Sequence, residues 1–576
     1  MQHFLASIHR SERLTHLIVV IYFTLMTVAY TFPLVFHMAD SVVGDIGDNI
    51  YFVWLFGWYQ KALFSLHINP YVHPGLNFPQ GWNLATTDIV PVQVLMGLPG
   101  SLVFGPTWGY NFAVLATFVL SGWCMYTAVR KLSASSLAGL VAGTLFAFSP
   151  FRWARYLVGH LNLLGTFWLP VYFLAVSEFL AGARGQWRWL LAAALLLLGL
   201  GLSAPYYLYM GLIVTVVFAL ALLFFSRKSL GIRTALLRTA ALFAALLPAA
   251  LIAMLPYIVS ESQGNLSDRS LQYASGYSGS PLDFVLPVNF YLKETLWDLA
   301  GRSLEHENAL YIGVVCAALA AVAWIKRREL QQAPWVQAAL VTSLVAVVLA
   351  MGVYLRFQDT PWVWHVPQVL QPLLGRDALR IPLPGYFLFL YMPFFAKMRV
   401  MMRFGIFTLT FLPMLAGLGS AWLFRRYPDR RYWIALGLLL AMVLDVYPGV
   451  YGRFSPVAPR PVDTWLAAQP GDGAVAQFPF TQVVDQDQIY YTLVHGKPFI
   501  GGFFNANQPE QYQRIKPVMD AFPDAASVAL LEELGMQYIV VDAGAYADFP
   551  LVQRRIEELG LVLQTIAGDA YVYGWR

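Results

Sequence analysis

Charge is scarce in this 576-residue sequence: Asp, Glu, Lys and Arg make up only 12% of it. An ordinary soluble domain carries about a quarter. With 58% hydrophobic residues and a mean hydropathy of +0.57, there is too little polar side chain to cover a soluble core. A soluble single-core enzyme, a disordered chain and a coiled coil are excluded. Cysteine is nearly missing as well. The two present, Cys124 and Cys316, sit far apart inside apolar segments and form neither a disulfide framework nor a metal site. No stripe of Lys and Arg interleaved with aromatics occurs, which argues against nucleic acid as a partner. Internal repeats and low-complexity segments are absent. Gly471-Asp472-Gly473 is too short for a dinucleotide fingerprint, and no Gly-x-Ser-x-Gly elbow occurs in a strand–helix setting.

What the chain has instead is long apolar runs and aromatics, with 18 Trp, 31 Tyr and 40 Phe suited to membrane interfaces. It reads as a polytopic α-helical membrane protein. A spanning helix needs about 20 mostly apolar residues. That rule predicts about eleven transmembrane helices, at 14–36, 107–129, 134–149, 161–181, 188–204, 206–225, 235–257, 308–325, 335–355, 404–424 and 431–447. The run 14–36 is too long for a signal-peptide core and is read as a retained first helix. Two shorter, proline-interrupted stretches, 89–104 and 383–396, are read as re-entrant or interfacial.

Basic residues set the expected orientation. With a cytoplasmic N-terminus, one side collects Arg10, Arg13, Arg130, Lys131, Arg184, Arg188, Arg227, Lys228, Lys326 to Arg328, Arg425 and Arg426 in short connections. The other side carries its cations thinly over three long loops, 37–106, 258–307 and 356–403. The positive-inside rule makes those loops extracytoplasmic, and an odd span count puts the tail there too. Long loops are usually functional, so the outer face is the working face. Residues 1–447 are then the membrane domain and 448–576 a soluble extracytoplasmic α/β domain, long enough to bury its own core. In that tail, 474–480, 538–541 and 570–573 read as strands, and 526–534 and 552–559 as helices.

Four clusters on the outer side carry candidate chemistry. The first loop begins Gly44-Asp45-Ile-Gly47-Asp48-Asn49 and continues into an amphipathic aromatic stretch, Tyr51 to Phe64. Its glycines allow a tight turn that presents two carboxylates, able to act as a general base or to hold a divalent cation. The alternative is that Asp48 caps the following helix. In Ser149-Pro150…Gly159-His160, the positions Arg152, Tyr156 and His160 fall at i, i+4 and i+8 on one helical face. They suit a lipid phosphate, or else are anchors reaching for water. Lys397, Arg399 and Arg403 lie outside, against the topological bias, which points to an anionic ligand; pairing with Asp377 is the alternative. Glu305-His306-Glu307-Asn308 suits a cation or a sugar, or a solvated cap.

These motifs resemble those of the GT-C superfamily, the bacterial integral-membrane glycosyltransferases that use polyprenyl-phosphate sugars. The resemblance rests on Gly44-Asp45-Ile-Gly-Asp48-Asn49 with its aromatic sequel, Ser149-Pro150…Gly159-His160, Arg399…Arg403 and the tail's His495-Gly496-Lys497-Pro498. It implies a GT-C-like fold and a catalytic Asp in the first loop, Asp45 or Asp48. It also implies donor-phosphate contacts from Arg152, Arg399 and Arg403, with Asn49, Tyr156, His160, His306 and Glu307 as substrate-binding candidates. The Trp-Trp-Asp-type motif of metal-dependent oligosaccharyltransferases is missing, so a divalent cation, Mg or Mn, is left open and no metal ligand is assigned. The expected activity is transfer of a hexosyl or pentosyl unit, with inversion, to a lipid-linked or cell-envelope acceptor. The expected location is the bacterial cytoplasmic membrane. A transporter or flippase of lipid-linked saccharides is the alternative, disfavoured because the spans hold almost no ionisable residues.

Overall fold

Eight apolar runs fold into helices long and apolar enough to cross a bilayer: Glu12–Tyr30, Pro106–Ser133, Leu161–Ala181, Gln186–Ser203, Pro205–Ser226, Ile232–Ser262, Ala333–Ala350 and Met401–Arg426. The structure is a computed structural model, and it describes residues 12–227, 231–262, 268–288, 293–398, 400–447, 449, 451–502 and 508–576. Three expected spans take a different form. The span expected at 134–149 is Ser136–Ala147, continued by Pro150–Leu157 after a 41° bend. Pro150 forces that break, because it removes a helical donor and crowds the preceding turn. The spans expected at 308–325 and 431–447 are short helices, Val314–Ile325 and Arg431–Val446. The first starts late because Gly313 takes a positive φ of 87° ahead of it. Asp445 accepts from the Val315 N–H at 3.1 Å and from the Tyr311 hydroxyl at 2.8 Å, tying the two short helices together. The protein is a multi-pass membrane protein.

The chain divides into two compact units, one made of Met1–Val35, Val114–Leu255 and Asp268–Gly452, the other of Phe36–Ala113, Pro256–Ser267 and Arg453–Arg576. In the first unit, Gly405–Arg426 is buried almost all round and packs on Val314–Ile325, Ala333–Ala350 and Ser136–Ala147. Small residues permit this. A Cβ at Gly419 would strike the Leu319 carbonyl, so the two backbones meet as membrane helices do where side chains are smallest. The long loops of this unit are ordered by buried ions. Arg302 donates to both oxygens of Asp283 at 2.8 Å and to Asp359 at 2.9 Å, joining segments 57 residues apart.

The second unit takes up the first outer loop together with the tail. Strand Ser41–Val43 pairs antiparallel with Phe454–Pro456. The helix Asp48–Gln60 is buried from Asn49 to Tyr59 rather than along one face. It is not amphipathic, because its aromatics are enclosed: Trp54 donates to the Thr492 hydroxyl at 3.3 Å, and Tyr51 donates to the Asp88 carbonyl at 3.2 Å. The tail strands Ala474–Phe478, Met536–Asp542, Val562–Ala567 and Ala570–Gly574 form one sheet in which the fourth lies between the second and the third. The first pair is parallel and the others antiparallel. The expected strand 474–480 stops at Phe478, before Pro479, which has no ladder donor. The edge strand Val562–Ala567 is half exposed, and its alternation was not expected from the sequence.

Candidate functional site

The acidic turn of the first loop is built by its neighbours. Gly44 has a φ of 80°, which a side chain would oppose. Asn49, 0% exposed, accepts from the Gly47 N–H at 2.9 Å and donates to the carbonyls of Val43 and Asp45 at 3.2 and 2.8 Å. Its amide is therefore committed to shaping the turn. Asp45 is exposed and forms an ion pair with Arg453. Asp48 is the first residue of the helix Asp48–Gln60, whose cap is Gly47, so its carboxylate lies in the favourable first turn without serving as the cap. Asn49→Ala should cost about 1–3 kcal/mol, because it strips bonds from a buried turn. A thermal melt checks this, and an unchanged melting temperature would contradict it.

The buried cations lie in the other unit. The Glu307 carboxylate, 4% exposed, accepts from Arg155 Nη2 at 2.8 Å on one oxygen and from Arg403 Nη2 at 2.8 Å on the other. Burial alone would raise the Glu307 pKa, but Arg155 and then Arg403 outweigh it and hold the carboxyl well below the usual range. Two guanidinium groups against one carboxylate leave an uncompensated positive charge. Arg155 Nη1 lies 3.4 Å from His160 Nδ1, and the His160 and His306 rings meet edge to face at 5.3 Å. Arg403 also stacks over Tyr206, 4.8 Å from the ring centre. Among the described residues, Arg155 Nε has no hydrogen-bond partner. A cluster of this kind favours an anion with several acceptor oxygens.

The expected face of Arg152, Tyr156 and His160 does not form. The helix Pro150–Leu157 ends before His160, which instead leads into the turn 161–167. Arg152, 0% exposed, donates to the Leu164 carbonyl at 3.0 Å and to the Thr166 and Thr117 hydroxyls at 2.8 and 3.1 Å, so it fastens that turn. Tyr156 is buried against Trp153 and Phe118. Glu307 is ion-paired rather than solvated, while Asn308 ties Ser303 to Glu305. Lys397 pairs with Asp268 at 3.0 Å and Arg403 with Glu307. Arg399 lies outside the described residues. His495 accepts from the Lys497 N–H at 3.0 Å, and Lys497 caps the Gln469 and Gly471 carbonyls. Burial, then Arg460 and Lys497, push the His495 pKa down to about 3, so that tail motif reads as a structural tie.

One ligand atom each from His160, His306 and Glu307 lies within 4.8 Å of the others. Two imidazoles and a carboxylate are compatible with a divalent cation. Both Glu307 oxygens are already engaged with arginine, however, so a cation would replace charge-assisted bonds and sit beside two positive charges. Sequence reasoning missed Arg155. Its five-residue spacing to His160 was visible, but its pairing with Glu307 spans 152 residues.

The family described as a domain of unknown function, DUF6311, matches residues 15–413, and the chain belongs to it. No curated protein matches the sequence. Among solved structures, the chain is similar to the archaeal oligosaccharyltransferase AglB from Archaeoglobus fulgidus in complex with an inhibitory peptide and a dolichol-phosphate. The TM-score is 0.52 at 14% identity, over 97% of this chain and 74% of that one. The apo form of the Archaeoglobus fulgidus oligosaccharyltransferase gives 0.54 at 14%, over 94% and 72%. The arabinofuranosyltransferase AftD from Mycobacteria gives 0.57 at 17%, over 98% of this chain and 41% of that one. The fold is therefore GT-C-like, as the motifs implied.

Proposed function

We propose that this member of the DUF6311 family is a glycosyltransferase. It moves a hexosyl or pentosyl unit from a lipid-phosphate-linked donor to a lipid-linked or cell-envelope acceptor, at the outer face of the bacterial cytoplasmic membrane. The observation that carries this reading is the buried, net-positive cluster of Arg155 and Arg403 on Glu307, beside His160 and His306. Its place in a GT-C-like fold supports phosphate as that anion, since one fold neighbour holds a dolichol-phosphate. Fold alone would not license the activity.

In this reading the acceptor hydroxyl attacks the anomeric carbon and passes its proton to Asp45 or Asp48. The bond from that carbon to the phosphate oxygen breaks, and the lipid phosphate leaves with the electron pair. Arg155 and Arg403, with Arg399, stabilise the charge as it grows on the leaving oxygen. Arg152 acts at one remove, by fastening the turn that carries His160. Direct attack inverts the anomeric centre through an oxocarbenium-like state. A divalent cation at His160, His306 and Glu307 would add positive charge beside the phosphate; none of these steps depends on it. Residues 1–447 form the membrane part, with a cytoplasmic N-terminus. The tail, 448–576, acts outside and holds the acceptor.

The test is binding of a polyprenyl phosphate, the expected product, by purified protein. Wild type should bind it, and Arg403→Gln should weaken binding about tenfold or more, since a charge-assisted bond is worth about 1.5–3 kcal/mol. Equal binding by both proteins would remove the phosphate from this cluster.

A further inference from the structure

The helix Leu161–Ala181 leads away from the Glu307 cluster, and its far end opens on a second feature, about 30 Å off at the usual rise per residue. There a cavity of about 230 Å³ lies where the ends of Pro106–Ser133, Leu161–Ala181 and Pro205–Ser226 meet the start of Ala333–Ala350. Its lining holds one cation, Lys131, and one carboxylate, Glu178, together with Gln332 and Trp335. Leu132 and Leu222 supply apolar wall.

Two observations make this more than a gap between helix ends. Lys131 and Glu178 share the cavity without pairing with each other; Lys131 has the Trp189 ring at 5.8 Å, and neither group makes an ion pair among the described residues. The cavity also lies at the bundle end that gathers the basic connections around Arg130, Arg184, Arg227 and Lys326, at the ends of the apolar spans.

We infer that this cavity is a binding site for the headgroup of a zwitterionic aminophospholipid in the leaflet facing the basic connections. The phosphate would accept from Lys131. The primary ammonium would donate to Glu178, and the first acyl carbons would lie along Leu132 and Leu222. A trimethylated ammonium cannot donate to Glu178, and an anionic glycerol headgroup offers it no cation. The cavity should therefore prefer phosphatidylethanolamine over phosphatidylcholine and phosphatidylglycerol.

The experiment uses the full chain, delipidated in detergent and then titrated with each lipid, read by native mass spectrometry of bound lipid and by thermal unfolding. Phosphatidylethanolamine should bind about tenfold more tightly than phosphatidylcholine to wild type. That preference should vanish in Glu178→Gln, whereas Lys131→Gln should weaken both lipids together. Free O-phosphoethanolamine is the soluble control, expected to bind weakly because it lacks the acyl anchor. Equal binding of all three lipids, a preference that survives Glu178→Gln, or O-phosphoethanolamine binding as tightly as the lipid would each overturn the assignment. If a variant is too unstable to purify, the lipid preference of wild type and its competition by O-phosphoethanolamine still decide the question.

Discussion

The combined change Asp45→Asn and Asp48→Asn should lower turnover by about 10²–10⁴-fold, the usual contribution of a positioned general base, and should leave the protein folded. Both halves of that expectation follow from where the two groups sit. The Asp45 side chain is 65% exposed, and its partner Arg453 is equally open, so losing that pair costs little in stability. Asp48 contributes a first-turn charge to the helix Asp48–Gln60, an effect worth about 0.3–1 kcal/mol. Asparagine keeps the size and much of the hydrogen bonding of both residues. The single variants then tell the base from its neighbour: the base loses nearly the whole effect alone, and the other loses a small part. Measured as sugar transfer by purified protein, wild-type turnover in the double variant would place the base elsewhere.

Glu307→Gln has the largest expected effect on stability. A neutral amide leaves Arg155 and Arg403 buried, close together and without their shared counter-charge. Breaking a buried pair by removing one partner typically costs about 3–5 kcal/mol. Adding Arg403→Gln should recover part of the loss, because it removes one of the two repelling cations. Thermal unfolding of the single and double variants checks this, and a double variant no more stable than Glu307→Gln alone would contradict it. The sign with pH follows from the same contacts. Glu307 is held below its unfolded value, so its contribution is complete above about pH 4.3 and is lost as the medium becomes more acidic than that. Glu307→Gln should flatten the acid limb of the stability curve.

The membrane character was legible because apolar runs about 20 residues long have few other uses. The bent and shortened helices were less so. Hydropathy counts apolar residues and does not register the break that Pro150 makes or the late start behind Gly313. In the acidic turn, Gly44, Asp45, Asp48 and Asn49 were all visible as a motif, but not that Asn49 turns inward as a brace. Local spacing suggested a face of Arg152, Tyr156 and His160 that would exist only if the helix ran on past Leu157. Arg155, the residue that meets Glu307, lay in the same stretch. Only a contact across 152 residues distinguishes it, and no local period carries that information.

The most direct measurement is release of polyprenyl phosphate by the purified, detergent-solubilised wild-type protein, offered a panel of radiolabelled polyprenyl-phosphate sugars and a lipid acceptor. We expect release from at least one donor, with the label appearing in the acceptor and both signals lowered about 10²–10⁴-fold in the Asp45→Asn, Asp48→Asn protein. Donor binding without release, across the whole panel, would contradict a glycosyltransferase.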